Sequence, residues 1–170
     1  RSSSSWKTPP GTRWTGRCAI SILVIGYGNP GRLDDGLGPA FAEQIQALKL
    51  PDVSIESNYQ LNIEDAELIS KFDLVVFADA SVNASEPFDF MPMHSKPPVV
   101  GFSSHSITAE SLLSLAEELF NAAPQAYAMA IRGYDFNAFG ESLSDAAAEN
   151  LVGAVEFFRE WVLSRVGLPR

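Results

Sequence analysis

The sequence predicts a three-layer α/β/α sandwich around a mostly parallel, twisted sheet of about five strands. From residue 19 onward, strand-like runs alternate with segments of helical period, the order expected of a sheet covered on both faces by helices. One run, Leu74-Val-Val-Phe-Ala-Asp79, is almost uninterruptedly apolar, as a strand buried on both faces must be. With 170 residues, 46% of them apolar, the chain has the length and the core material for one domain, placed at residues 18–170.

The strand candidates are Ile20–Gly26, Val53–Ser57, Asp73–Asp79, Val99–Phe102 and Tyr127–Arg132. Helices are predicted over Pro39–Leu48, where Pro39 is tolerated in the first turn, and over Glu64–Ser70, Ala109–Phe120 and Asp145–Val166. In the last, Leu151, Val155, Phe158 and Val162 recur at helical spacing and read as a core-facing stripe, with Ser142 or Ser144 available as its cap. Residues 83–98 hold four prolines and no period, so an irregular loop is expected there.

Residues 1–17 are rich in Ser, Pro and Arg, without period, and read as a disordered or non-native tail; Trp6 and Trp14 go with it. That tail holds four basic groups and no acid, leaving 8 basic against 21 acidic groups and a net charge near −13 in the rest. So negative a body repels phosphate backbones, which excludes nucleic acid as a main partner. A single cysteine, Cys18, permits no internal disulfide, and no apolar run reaches the ~20 residues of a membrane span, so the cytoplasm is expected.

The densest motif is Gly26-Tyr-Gly-Asn-Pro-Gly-Arg-Leu-Asp-Asp-Gly-Leu-Gly38, directly after the first strand. Gly26, Gly28 and Gly31 satisfy the dinucleotide pattern G-x-G-x-x-G, but more loop follows where a helix should open, and Asp34 and Asp35 would repel a pyrophosphate. Gly28-Asn-Pro-Gly31 also resembles the glycine loop of peptidyl-tRNA hydrolases, whose downstream histidine and basic surface this chain lacks.

A third resemblance is more specific. Strand-G-x-G-N-x-x-x-x-D-[DE]-G-x-G-helix is similar to the opening signature of the hydrogenase maturation endopeptidases, and Gly26, Gly28, Asn29, Asp34, Asp35, Gly36 and Gly38 fit it. Leu74–Ala80 is similar to that family's third strand with its terminal Asp, and Ser104-His105-Ser106 to its histidine loop before a Leu-rich helix. The match spans most of residues 19–166 and departs at Pro30-Gly31-Arg32 and at Arg132–Phe136 with Phe139–Leu143, which leaves the hydrogenase isoform open.

The resemblance implies a protease domain that trims the C-terminus of a hydrogenase large-subunit precursor, an aspartic-type endopeptidase gated by nickel that the precursor itself carries. It assigns Asp35, Asp79 and His105 as catalytic and metal-engaging residues, with Gly28, Asn29, Asp34 and Gly36 as loop and substrate support, acting as a monomer.

Residue chemistry is compatible with this and less specific. Asp35 lies beyond the end of the first strand, Asp79 at the end of the third and His105 just beyond the fourth, and in an open parallel sheet the loops at such strand ends converge on one crevice. Two carboxylates and an imidazole suit nickel, zinc, manganese or iron, and three protein ligands leave positions open. Singly, each has a plain structural role: Asp35 in a turn, Asp79 capping a loop, His105 on a backbone carbonyl. Asp34 is assigned either to orienting a ligand or to the turn, Asn29 to turn support, and His94 to the surface. No G-x-S-x-G elbow is present, Cys18 begins a strand away from the crevice, and Ser103, Ser104 and Ser106 are mere sequence neighbours of His105. A binding module that checks the large subunit without cutting it, and a metallohydrolase acting on small molecules, use the same three residues.

Overall fold

The computed structural model describes residues 19–97 and 107–166. Its sheet has five strands: β1 (Ile22–Tyr27), β2 (Val53–Asn58), β3 (Leu74–Ser81), β4 (Phe88–Met93) and β5 (Gln125–Arg132). Their order is β2-β1-β3-β5-β4, and all pairings are parallel except that of β4 with β5. Four helices complete the layers: α1 (Leu37–Leu48), α2 (Asp65–Ile69), α3 (Ala109–Phe120) and α4 (Asp145–Val166). The predicted sandwich is the observed fold. Residues 1–17, Cys18, the proposed strand at 99–102, Ser103, Ser104, His105 and Ser106 lie outside the described residues.

Two-residue periodicity divides the core. Ile22, Val24, Val76 and Ala78 face α1 and α4, where Phe41 meets Phe158 edge to face with ring centroids 5.5 Å apart. Leu23, Ile25, Val75 and Phe77 face α2 and α3, packing on Ile69, Leu112 and Ala116. Both faces of β1 and β3 are thus dry, which is why those strands are apolar throughout. In α4 the buried stripe is Ala147, Leu151, Ala154, Phe158 and Val162, with Val155 only partly covered.

Residues 83–98 correct the loop expected there. Phe88–Met93 is an antiparallel edge strand, and Pro92 is tolerated because an edge strand need not donate on both sides. Phe90 stacks on Tyr127 at 4.9 Å and meets Trp161 of α4 at 5.1 Å, so aromatic packing holds the strand in register.

Local chemistry sets the helix ends. Thr108 caps α3 by accepting from the Ser111 N–H at 3.2 Å, and Ser144 Oγ accepts from Ala147 N at the start of α4. Before α1 the chain makes a 3₁₀ turn, Leu33–Gly36, which delivers Asp34 and Asp35 just ahead of the helix. No described helix is long and apolar enough to cross a membrane.

Candidate functional site

From β1 the chain passes through α1 to β2 on one side, then through α2 to β3 on the other side of β1. Connections leaving in opposite directions open a crevice at the carboxyl ends of β1 and β3. Asp35 follows β1, and Asp79 lies near the end of β3, so this topology brings two residues 44 positions apart to one place. There they line an open cleft of about 470 Å³, together with Tyr27, Tyr59, Leu61, Met93 and Glu110.

Strand register aims the second carboxylate. Gly26 pairs with Ala78, so Tyr27 and Asp79 come next, side by side on adjacent parallel strands. Both lie on the face of Ile25 and Phe77, toward the start of α3. Asp79 Oδ1 accepts from the Ala80 N–H at 2.8 Å, and Tyr27 lies beside the same carboxyl on the neighbouring strand. A narrower cleft of about 230 Å³ between the ends of β3 and β5 also opens on Tyr27, Asp79 and Met93.

The glycine loop presents the first carboxylate. Asp35 Oδ2 accepts from Asn29 N at 3.0 Å, and Asn29 Oδ1 accepts from Gly31 N at 2.8 Å, so Asn29 supports the turn. Gly28 has φ +140, and a Cβ there would lie 2.1 Å from the Asp35 carbonyl oxygen. At Gly38 a Cβ would lie 2.2 Å from Tyr27 O and 2.6 Å from Ala78 O, so this glycine lets α1 enter between β1 and β3. Gly36 is buried, its Cα facing Pro30 across the loop. These glycines serve close backbone packing around an acidic residue and leave no phosphate cradle.

Asp34 points away from the cleft. It is fully buried, and its carboxylate accepts from Tyr134 N, Asp135 N, Ser144 N and Ser144 Oγ at 2.7–3.0 Å. Burial alone would raise its pKa, but these donors outweigh that and hold it below the ordinary carboxylate range. Of the two roles assigned from sequence, orienting a ligand is replaced by a structural one: Asp34 ties the glycine loop to the segment entering α4.

Asp79 has the opposite environment. Burial, reinforced by the charge of Asp35, pushes its pKa up to about 6, although the Ala80 N–H pulls the other way. Tyr27 is pushed above its ordinary value by burial and by the charges of Asp79 and Glu110, so it stays protonated and neutral. A half-buried pair of acids with a third nearby favours a cation. A carboxyl that titrates near neutrality is also suited to moving a proton.

Among the described residues no group of three or more His, Cys, Asp and Glu could hold a metal ion. Asp35 and Asp79 supply two oxygen donors; His105 lies outside the described residues, and Ile107, two positions on, lines the cleft. His94 is exposed and lines a separate groove between β4 and α3. Sequence reasoning missed Tyr27 and Glu110. The signal for Tyr27 was its place next to Asp79 in the strand register, which needs the strand order; Glu110 sits in the first turn of α3, and nothing in its sequence neighbourhood marks it.

No protein-family model matches the chain, and no curated protein sequence matches it. Solved structures do. A NiFe hydrogenase maturation protease, HycI from Thermococcus kodakarensis, superposes with a TM-score of 0.67 at 24% identity, over 84% of this chain and 92% of that one. The hydrogenase maturating endopeptidase HybD from E. coli gives 0.65 at 17% identity, over 85% and 93%. A hydrogenase 2 maturation peptidase from a Thaumarchaeota archaeon gives 0.61 at 20% identity, over 88% and 99%. At such identities the likeness establishes a shared fold across nearly the whole of each protein.

Proposed function

We propose that this chain is a hydrogenase maturation endopeptidase, removing the C-terminal extension of a nickel-loaded nickel–iron hydrogenase large-subunit precursor. The observation that carries the reading is the meeting of Asp35 and Asp79 at the switch-point cleft of a fold shared with solved maturation proteases. The motif around Asp35 and the strand that carries Asp79 near its end are also those the family resemblance assigns.

The donor set fits nickel carried by the substrate. Asp35 and Asp79 crowd negative charge that a cation would relieve, and His105 would add a borderline nitrogen ligand. Nickel in the substrate would supply Lewis acidity and a fixed position for the scissile bond. The chain's own residues do the rest. Asp35 is held by Asn29 N in the mouth of the cleft, and Asp79, protonated below about pH 6 and ionised above it, is placed to take a proton from attacking water and return it to the leaving amine. Such an aspartate-based hydrolysis makes no covalent intermediate. We assign the activity to a monomer in the cytoplasm.

The test is to incubate the chain with nickel-loaded precursor and follow loss of the C-terminal extension by mass spectrometry, beside Asp35→Asn. Cleavage by the wild type and none by a folded D35N supports the proposal. Intact precursor bound tightly by both proteins would instead mark a binding module, and turnover of simple esters or peptides with the precursor untouched a metallohydrolase of small molecules.

A further inference from the structure

We propose that the outer edge of β2 docks the precursor's C-terminal extension, which pairs there as an added strand and runs on into the Asp35–Asp79 cleft. The identity of the occupant rests on the peptidase reading; the open edge and the path from it rest on geometry. β2 ends the sheet order β2-β1-β3-β5-β4, and among the described residues no strand lies beyond it. Ile22 N donates to Asp52 O at 2.9 Å and Gly28 N to Asn58 O at 3.1 Å, so the even-numbered residues of β2 carry the parallel ladder to β1. The N–H and C=O groups of Val53, Ile55 and Ser57 therefore point outward, a row to which an extended peptide can bond. Native edges of this kind are commonly blunted by proline or charge. β4, at the far side of the sheet, carries Pro92, whereas β2 has no proline and a single charged residue, Glu56.

Side chains and path select what docks. The residues whose backbone faces outward are those whose side chains face α1. Ile55 and Ser57 line a groove of about 410 Å³ with Glu43 and Gln46 of α1, Leu33 of the glycine loop and Glu141 ahead of α4. Alternate side chains of an added strand enter that groove. Glu43 and Glu141 are exposed, and no basic residue is among those described along the groove, so a Lys or Arg side chain of the extension is the complementary one. At its end β2 passes into Tyr59, Gln60 and Leu61, which line the cleft of Asp35 and Asp79, and Gly28, the donor to Asn58 O, lines it too. A peptide laid along β2 is thus delivered to the two carboxylates.

The experiment uses full chains throughout. Amide hydrogen exchange of the wild type is followed alone, with nickel-free precursor, which the account leaves uncut, and with mature large subunit lacking the extension. Precursor is expected to slow exchange at Val53, Ile55 and Ser57 at least about 10-fold, and mature subunit to leave it unchanged. Equal exchange with and without precursor overturns the proposal. So does equal protection by the mature subunit, or protection that rises with the chain's own concentration, which marks a second copy on the edge. Next, kcat and KM for nickel-loaded precursor are compared in Ser57→Pro, which removes one outward N–H and none from the ladder, in Glu43→Lys, and in Glu156→Lys on α4 as a charge control. S57P and E43K are expected to raise KM about 5–10-fold at unchanged kcat, with E156K matching the wild type. An unchanged KM in both, or an equal rise in E156K, overturns the proposal. If the wild type leaves nickel-loaded precursor uncut, the peptidase reading fails and exchange alone decides: protection by precursor supports docking at β2, and its absence overturns it.

Discussion

Replacing Asp79 by Asn is expected to stabilise the folded chain at neutral pH while removing its activity. Burial and the charge of Asp35 raise the Asp79 pKa from 3.8 to about 6, so the folded protein pays to ionise it. At 1.36 kcal/mol per pK unit the whole difference is worth about 3 kcal/mol, a ceiling reached when Asp79 is fully ionised. Asn is neutral at every pH and its Oδ1 still accepts from Ala80 N, while solvent reaching the partly exposed site screens roughly 1 kcal/mol or more of that ceiling. A net stabilisation of about 1–2 kcal/mol follows, or a Tm higher by roughly 2–8 °C.

The sign depends on pH. The folded carboxyl binds its proton more tightly than the unfolded one, so wild-type stability falls as pH rises from about 4 to about 6 and is lowest, on this account, above that window. D79N should therefore match the wild type near pH 4 and exceed it at pH 8. Urea denaturation of metal-free protein, followed by circular dichroism at both pH values, measures this directly. A D79N variant that is less stable at pH 8, or whose advantage is the same at both, would refute the burial and repulsion on which the site's electrostatics rest.

Asp34→Ala should cost about 3–5 kcal/mol, because it removes a buried carboxylate that holds the backbone N–H groups of residues 134, 135 and 144 and the Ser144 hydroxyl; an intact protein with wild-type Tm would contradict the clamp. Since the Asp34 pKa is lowered, its contribution is present above the unfolded carboxylate value and is lost as pH falls, so the gap between D34A and wild type should shrink in acid. Gly38→Ala places a Cβ 2.2 Å from Tyr27 O and should cost about 3 kcal/mol by pushing α1 off the sheet, seen as reduced Tm and rapid amide exchange in α1; a stability within 0.5 kcal/mol of wild type, roughly the scatter of neutral surface changes, would contradict that packing.

Much of the fold was legible because its determinants are local. The apolar run of β3, the Thr108 cap of α3 and the 3.6-residue stripe of α4 each act within a few residues of themselves. β4 was not legible: its alternating Phe88 and Phe90 are outweighed by flanking prolines until Tyr127 and Trp161, from distant segments, pack against them. The candidate site divides the same way. Asp35 is marked by the glycine pattern that packs around it and Asp79 by the end of an apolar strand, whereas Asp34 looked like its neighbour's helper. Its partners lie at least 100 residues away, so only the folded chain reveals that it is a buried clamp. Tyr27 depends on strand order, which periodicity does not encode. The histidine assigned beside the two acids, His105, lies outside the described residues.

The central claim is that the Asp35–Asp79 cleft reads nickel carried by a precursor and cuts that precursor's C-terminus. Nickel-loaded and nickel-free forms of the same large-subunit precursor, incubated side by side with the chain and followed by intact mass, test it most directly. The account predicts loss of the C-terminal extension from the nickel-loaded form alone. Equal trimming of both forms, or of neither, would contradict it.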